Sequence, residues 1–352
     1  MNIVYILNVF LITWSVTFTK IVEKTKLKSK NKKIMYLLPI AIVFVLITGL
    51  RHNMGTDYTS YDYEFKIFTF NNFFDNFEVG FKALEVFVKY ILHGNVVVLM
   101  LCMAVITIAS YFYFFYKNSS ILWISIFLFF TIGSYYTSFN TTRQFMAAGI
   151  YCLSFKYIVR KDFFRYVGIV LIGSLFHYSC IFMIPVYFLF GLDWNKFKKK
   201  TLIGFFVIAS ISILFSDVVI NSLAKFTNYS HYINTDFLSS DVSYAILLRP
   251  FLLFTFIICF HKYIDIKDRK MRVLLNSSIM FIFLMFISMK VYLIYRFTYY
   301  VLPFSILLIT EVINNIPQQK RKKIAFCVIL IVFLYSFVSN VNSSYAFFWQ
   351  NY

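Results

Sequence analysis

The sequence predicts an all-α protein, a polytopic bundle of about 11–12 transmembrane helices that forms a single integral membrane domain over residues 1–352. Of its 352 residues, 60% are hydrophobic and 22% are aromatic, whereas only 14% are charged. Soluble domains are roughly 45–50% apolar and about 25% charged. Since so few charges cannot cover a surface that faces water, the long apolar runs are expected to face lipid, where a helix bonds its backbone groups internally.

The net charge of +19 is interpreted as a topology signal. Lys and Arg concentrate on cytoplasmic loops and thereby set the orientation of a membrane protein. Most of the 34 basic residues fall in six patches: Lys20–Lys33, Lys117, Lys156–Arg165, Lys196–Lys200, Lys262–Arg272 and Lys320–Lys323. With these patches placed inside the cell, the charge is accounted for and we expect no nucleic-acid partner.

This placement predicts a set of alternating spans. They are residues 2–20, 34–50, 95–116, 120–139, 143–159, 201–220, 244–262, 271–289, 291–311 and 324–341, with a further pair within 163–192. Two segments then lie outside the cytoplasm, 51–94 and 221–243, and Phe77–Leu92 in the first has the pattern of an amphipathic helix on the membrane surface. The first apolar run, Asn2–Thr19, lacks a preceding basic residue and a cleavage site, which favours an uncleaved span over a signal peptide.

The stretch between Arg165 and Lys196 is too long for one span, yet both of its ends are basic. Two short helices that meet near Phe176–Ser179 solve this conflict. Such a hairpin would be partly re-entrant, with its tip buried in protein or facing a wet cavity. One long tilted helix is the alternative.

Four arginines are predicted to lie at one depth, near the outer surface. Arg51 closes the second span and Arg143 opens the fifth, whereas Arg249 and Arg296 each lie five residues into a span, about 7 Å deep at 1.5 Å per residue. Arginine binds phosphate through a bidentate fork and stays charged when buried. The set therefore predicts an anion clamp that suits a lipid-linked pyrophosphate. Snorkelling to lipid headgroups is the alternative, and it fits Arg51 and Arg143 best.

The outer segment that follows Arg51 concentrates Gly, Asp and Tyr at a membrane edge. Gly55 allows a turn that returns the chain toward the surface. Asp57 is a candidate general base, and Tyr58 and Tyr61 are candidates to stack on sugar rings. An ordinary interfacial tyrosine belt with a solvated acid is the alternative.

A further candidate, His177, lies in an otherwise apolar run at the tip of the predicted hairpin. It could carry a proton or donate a hydrogen bond to a sugar or phosphate oxygen. A structural histidine with its hydrogen bonds satisfied is the alternative.

Several short motifs resemble those of one family. Arg51-x-x-x-Gly55-Thr56-Asp57-Tyr58-x-x-Tyr61, directly after the second span, resembles the opening motif of the EpsG family, which are Wzy-like polymerases of bacterial exopolysaccharide and capsule. The later motifs that fit are Thr142-Arg143-Gln144 with its Ala-Ala-Gly helix, Phe176-His177-Tyr178-Ser179 followed by Pro185, and Tyr295-Arg296. The similarity lies in order and spacing over most of the chain.

The resemblance implies an enzyme, GT-C-like in broad character, that joins repeat units on undecaprenyl diphosphate into exopolysaccharide, capsule or O-antigen. The reaction would occur at the outer face of the bacterial cytoplasmic membrane, in a multi-pass protein. Its implied partners are the lipid-linked glycan, membrane lipid, a flippase that delivers the units and a chain-length regulator. The Asp-rich metal site of some glycosyltransferases is not recognisable, so we expect neither metal nor other cofactor.

The resemblance carries over Arg51, Asp57, Arg143, His177 and Arg296 as candidates. With the residue-based reasoning, the predicted catalytic residues are Asp57 and His177, and the predicted substrate- or diphosphate-binding residues are Arg51, Arg143, Arg249, Arg296, Tyr58 and Tyr61. In this hypothesis three arginines, Arg143, Arg249 and Arg296, hold the diphosphate, and Asp57 or His177 deprotonates the acceptor hydroxyl. The segment 51–94 would bind sugars.

Other functions stay open at this stage. A transporter or flippase of the same lipid-linked sugars would also use buried arginines, although it predicts charges on both halves of the membrane. A ligase or an acyltransferase shares the outward site. A scaffold for a polysaccharide assembly complex would tolerate alanine at every candidate residue.

Overall fold

The computed structural model of the chain describes residues 3–23, 29–55, 57–70, 73, 77–132, 134–193, 247–289, 292–318, 320, 321, 323–325, 327, 328 and 331. Every regular element within these ranges is helical, as predicted. The predicted span 201–220, the predicted outer segment 221–243 and most of the predicted span 324–341 lie outside the described residues.

Eleven α-helices precede residue 193 in the described chain. They are α1 (Ile3–Glu23), α2 (Ser29–Gly49), α3 (Tyr58–Ile67), α4 (Val79–Val86, continued by a π-helix at Phe87–Ile91), α5 (Val96–Asn118), α6 (Leu122–Thr131), α7 (Ser134–Thr137), α8 (Thr142–Cys152), α9 (Phe155–Arg160), α10 (Phe163–Ser174, followed by a 3₁₀-helix at Tyr178–Met183) and α11 (Val186–Gly191). Those described after residue 247 are α12 (Leu248–Phe260, followed by a 3₁₀-helix at His261–Tyr263), α13 (Arg269–Ser288), α14 (Tyr292–Tyr295) and α15 (Thr298–Asn315).

The helices belong to two compact units. One comprises Met1–Tyr187 with Ile309–Tyr352, and the other comprises Phe188–Leu308. In the first unit α5 packs against both α2 and α8. These contacts are close because small residues face α5: a Cβ on Gly49 would lie 2.8 Å from the Leu101 Cα, and one on Gly149 would lie 3.1 Å from the Ser110 Cβ.

Among the described residues, three helices are long and apolar enough to cross a membrane, namely Lys30–Gly49 of α2, α5 and α13. At 1.5 Å per residue, their 20 to 23 residues reach about 30–35 Å, the thickness of the hydrocarbon core. Shorter apolar helices are Ile6–Ser15, Leu122–Thr131, Phe163–Ser174 and Tyr178–Gly191. The chain is a helical membrane protein, and these three segments agree with the predicted spans.

The predicted span 120–139 is not one continuous helix. α6 has only 10 residues, and the chain after it is fixed by polar side chains. Tyr135 donates its hydroxyl to the Phe44 carbonyl at 3.0 Å and accepts a hydrogen bond from Thr48 at 2.8 Å. These bonds attach the chain after α6 to α2, and a pattern of apolar residues does not reveal them.

The predicted span 291–311 is also interrupted, at Arg296. The backbone N–H groups of Arg296 and Phe297 bond to carbonyls three residues back, and Thr298 donates its hydroxyl to the Tyr295 carbonyl at 2.6 Å. These bonds close α14 as a tight turn before α15 starts. Arg296 therefore lies at a helix break, and the depth predicted for it from a continuous helix does not apply.

The predicted hairpin at 163–192 is present, and the alternative of one long helix is excluded. Its two arms pack side by side: Tyr166 donates its hydroxyl to the Met183 carbonyl, and the Phe163 and Tyr187 ring centroids lie 5.1 Å apart. Nearer the tip, a Cβ on Gly173 would come within 2.7 Å of the Cys180 sulfur. His177 lies in the turn between the arms, so the fold presents it where the sequence predicted. Re-entry into the membrane stays a prediction.

The amphipathic stretch predicted over Phe77–Leu92 forms α4 and its π-helical extension. One face is buried, including Phe81 and Val88, while Ile91 and Leu92 are exposed. The helical part of the prediction is confirmed, and its position on the membrane surface stays a prediction.

Candidate functional site

The start of the segment 51–94 packs against the chain just before α8. Gly55 has φ +88°, and a Cβ there would lie 2.1 Å from the Phe139 carbonyl oxygen. Only glycine combines this positive φ with so close an approach. The turn therefore brings Asp57 and α3 beside the helix that carries Arg143.

Arg51 fastens this junction. Its side chain is 1% exposed, donates to the Thr48 carbonyl at 2.7 Å and to the Thr142 hydroxyl at 2.8 Å, and lies over the Phe139 ring. A snorkelling arginine would extend to the surface, so that alternative is wrong for Arg51. A role as a diphosphate ligand stays a prediction, and the contacts shown are structural.

Arg143 is the single residue of α8 that is not buried. Its side chain is 17% exposed and forms an ion pair with Glu78, the residue just before α4. The guanidinium carbon lies 4.1 Å from the Phe77 ring centroid, which adds a cation–π contact. Arg143 is therefore the point at which an anion could reach this buried helix.

Tyr61 joins Arg143 to Asp57. The tyrosine hydroxyl donates to the Asp57 Oδ2 at 3.1 Å and accepts from the Arg143 Nε at 3.4 Å. Burial raises the pKa of Tyr61 to about 12, against the opposing pull of Arg143. The hydroxyl therefore keeps its proton at neutral pH and holds the carboxylate beside the cation. We call Asp57, Tyr61, Glu78 and Arg143 the arginine network.

The two tyrosines of α3 that were predicted to stack on sugars do not offer their rings to a ligand. Tyr58 is 4% exposed and Tyr61 is 1% exposed, because they share the buried face of α3 with Phe65. The structure therefore does not support the predicted stacking of either ring. An exposed aromatic ring lies beside His177 instead, since Tyr178 is 64% exposed.

His177 is tied to the arginine network through its neighbour. The Tyr178 N–H donates to Glu78 Oε1 at 3.0 Å, so one carboxylate joins Arg143 to the hairpin tip. Nδ1 of His177 accepts the Ser179 N–H at 3.2 Å and lies 2.8 Å from the Ser179 hydroxyl. Since Nδ1 is an acceptor, neutral His177 carries its proton on Nε2 and is a donor there.

Glu78 was missed by sequence reasoning. It is 4% exposed and lies 65 residues from Arg143 in the chain. The available signal was its position, an acid directly before an amphipathic helix. Sequence alone does not show which distant cation it meets.

The remaining two arginines belong to the unit Phe188–Leu308. Arg249 is the second residue of α12, and its Nη1 donates to the Tyr295 hydroxyl at 3.0 Å. Arg296 follows Tyr295 at the break between α14 and α15. The structure brings Arg249 close to the residue beside Arg296. Whether either one binds diphosphate stays a prediction.

A second ionic group includes two residues of α4. Lys82 is 0% exposed and pairs with Glu64, and its Nζ lies 3.4 Å from Glu85 Oε2. Burial raises the pKa of Glu85 to about 7, while Lys82 opposes the shift. We call Glu64, Lys82 and Glu85 the lysine cluster. Across the described part of the chain, no group of three or more His, Cys, Asp or Glu side chains is placed to hold a metal ion.

The helices and the arginine network define a helical membrane protein with a partly exposed ionic site at the end of a buried helix. The chain belongs to the EpsG family, whose sequence model matches residues 33–352. EpsG is a Wzy-like family of polysaccharide polymerases, so membership implies a general role in polysaccharide polymerisation. No curated protein and no solved structure matches the chain significantly.

Proposed function

We propose that this chain polymerises oligosaccharide repeat units carried on undecaprenyl diphosphate, at the outer face of the bacterial cytoplasmic membrane. The acceptor hydroxyl oxygen forms a bond to the first carbon of the donor sugar. The bond from that carbon to the diphosphate breaks, and undecaprenyl diphosphate leaves with the electron pair. The observation that carries the proposal is a cation and a carboxylate, Arg143 and Asp57, joined through one tyrosine hydroxyl.

Arg143 stabilises the leaving group. Charge develops on the diphosphate as the glycosidic bond breaks, and a fixed cation in a site of low dielectric lowers that barrier. The guanidinium also offers a planar fork that matches phosphate oxygens. Its partial exposure supports this role, whereas the near-complete burial of Arg51 supports a structural one.

Asp57 is the base that takes the acceptor proton. It is partly exposed at the start of α3, and the Tyr61 hydroxyl orients it. His177 acts as a hydrogen-bond donor rather than as the base, since its neutral form carries the proton on Nε2. The exposed Tyr178 ring supplies the apolar face on which a sugar stacks.

The protein acts as a multi-pass protein of the cytoplasmic membrane. A flippase delivers the donor to the outer face, and a chain-length regulator limits the product. The positive-inside pattern supports this orientation, because the basic patches then lie in the cytoplasm.

The test starts from the lipid-linked glycan that accumulates in cells lacking the protein. We expect a single repeat unit on lipid to accumulate. This compound then serves as substrate for the purified full chain in proteoliposomes. We expect a ladder of longer glycans. Translocation without a ladder would support a transporter, and transfer to a different acceptor would support a ligase.

The role of Asp57 is tested in the same assay with Asp57→Asn. This variant is expected to bind the donor but to form no ladder. Asp62→Asn is the matched control, because Asp62 lies on the same helix in an exposed pair with Lys66. Equal ladders from both variants would remove Asp57 from the reaction.

Arg249→Ala and Arg296→Ala test the other members of the predicted clamp in the same assay. If both variants give ladders of normal length and yield, neither arginine binds the diphosphate.

A further inference from the structure

Glu78 neutralises the cation that the proposed reaction needs. It pairs with Arg143, and both side chains are mostly buried, at 6% and 17% exposure. Asp57 adds a second negative charge to the network through Tyr61. With its carboxylates ionised, the arginine network carries one net negative charge. A diphosphate is therefore repelled from this network as it stands.

The Glu78 side chain can leave Arg143 without unfolding its surroundings. Glu78 precedes α4 and makes no side-chain capping bond to that helix. The contact between α4 and the hairpin is made separately by the backbone, because the Gly80 N–H donates to the Leu175 carbonyl at 2.8 Å. A rotation of Glu78 thus releases Arg143 and leaves the neighbouring helices attached.

We propose that Glu78 is the resting counter-ion of Arg143 and that the donor's diphosphate displaces it, so that the ion pair is a latch opened by substrate. This inference rests on the proposed function. Displacement also removes the carboxylate from the Tyr178 N–H. Donor binding is thereby coupled to the hairpin turn that carries His177 and Tyr178. When the product lipid diphosphate leaves, Glu78 returns to Arg143 and assists release.

The latch predicts an unusual effect of removing one charge. Glu78→Gln keeps one acceptor oxygen in place of the two that serve Arg143 and the Tyr178 N–H, and it no longer competes as an anion. Binding of undecaprenyl diphosphate is expected to become about three- to tenfold tighter, a size typical of one nearby charge. In turnover, the KM for the donor is expected to fall and kcat to fall with it, because product release slows.

Binding is measured with undecaprenyl diphosphate and the full chain in phosphatidylcholine nanodiscs. Asp62→Asn removes an equal charge elsewhere on the outer segment and is expected to leave affinity unchanged. Arg143→Gln is expected to weaken binding at least tenfold. Glu78→Gln should add nothing in the Arg143→Gln background, because the charge it competes for is gone.

The outcomes separate the latch from the polymerase. Tighter binding by Glu78→Gln, together with no ladder from the wild-type chain, supports the latch and contradicts the polymerase. A normal ladder with unchanged or weaker binding overturns the latch alone, and a wild-type chain that does not bind undecaprenyl diphosphate overturns it too. If Glu78→Gln does not fold, Glu78→Asp keeps the charge on a shorter side chain that pairs less well. A gain in affinity of about two- to fivefold is then expected, and no gain overturns the latch.

Discussion

The arginine network and the lysine cluster use the same chemistry to different ends, although both are built on α4 and the residue before it. Arg143 keeps 17% of its side chain exposed, whereas Lys82 and Glu85 are completely buried. Phe77 lies between them, 4.1 Å from Arg143 and 5.5 Å from Lys82. An ion pair that retains access can exchange one partner for a ligand. A completely buried ion pair cannot make this exchange, and its contribution is to hold α3 against α4.

Lys82→Met should show most clearly that the lysine cluster stabilises the fold. It leaves the Glu64 and Glu85 carboxylates buried without their cation, and breaking a buried pair from one side costs about 3–5 kcal/mol. We expect a thermal midpoint several degrees lower for the full chain in detergent. Lys66→Met is the control, because this exposed pair with Asp62 contributes about 0.5 kcal/mol or less. Equal losses in the two variants would show that the lysine cluster does not hold the segment.

Arg143→Ala should give the opposite result, with a large loss of activity and a smaller loss of stability. Removing one fixed electrostatic group from a reaction site lowers turnover by about 10²- to 10³-fold. Ladder formation per unit time is the measurement, with Arg165→Ala as the control since that side chain is 70% exposed. Arg143→Lys is expected to recover part of the activity, because the charge returns without the planar fork.

Glu85→Gln tests whether the lysine cluster holds a proton on Glu85. The pKa of Glu85 is raised from 4.5 to about 7, first by burial and then by Glu64, against Lys82 and Lys89. The folded state therefore binds more protons than the unfolded state between these values, and stability falls as pH rises from about 5 to 7.5. The loss is on the order of 2 kcal/mol. Glu85→Gln should abolish this dependence and should be the more stable form at pH 7.5.

Amide hydrogen exchange of α4, compared between wild type and Glu85→Gln at each pH, measures this effect. Protection that falls with pH to the same extent in both proteins would place the titrating group elsewhere.

Sequence patterns predicted the parts of the fold that depend on local composition. α2 and α5 follow from long apolar runs between charged ends, and the hairpin follows from the conflict between its length and its basic flanks. The breaks after α6 and at Arg296 were not predicted. Next to each break a side-chain hydroxyl, of Tyr135 or Thr298, donates to a backbone carbonyl. An apolar pattern does not show such bonds.

The candidate site was predicted as residue types but not as partners. Arg143, Asp57 and Tyr61 were all predicted as site residues and the structure brings them together, yet the tyrosine contacts the other two through its hydroxyl and not through its ring face. Glu78 could not be found, because pairing across 65 residues is set by how α4 packs beside α8. Such pairings depend on tertiary contacts that a single sequence does not display.

Tyr61→Phe gives the smallest expected effect and tests the hydrogen bonds that join Asp57 to Arg143 within the arginine network. The ring stays in its buried place, while the hydroxyl that joins Asp57 to Arg143 is lost. One hydrogen bond of this kind contributes about 0.5–1.5 kcal/mol, so kcat should fall about three- to tenfold with little change in thermal midpoint. Tyr63→Phe, on the exposed face of α3, is the matched control. Because burial holds the pKa of Tyr61 near 12, the wild-type ladder rate should show no titration of this group between about pH 6 and pH 9. If Tyr61→Phe and Tyr63→Phe turn over equally fast, Asp57 and Arg143 act without the tyrosine hydroxyl between them. The arginine network is then no better organised for the reaction than an ordinary surface ion pair.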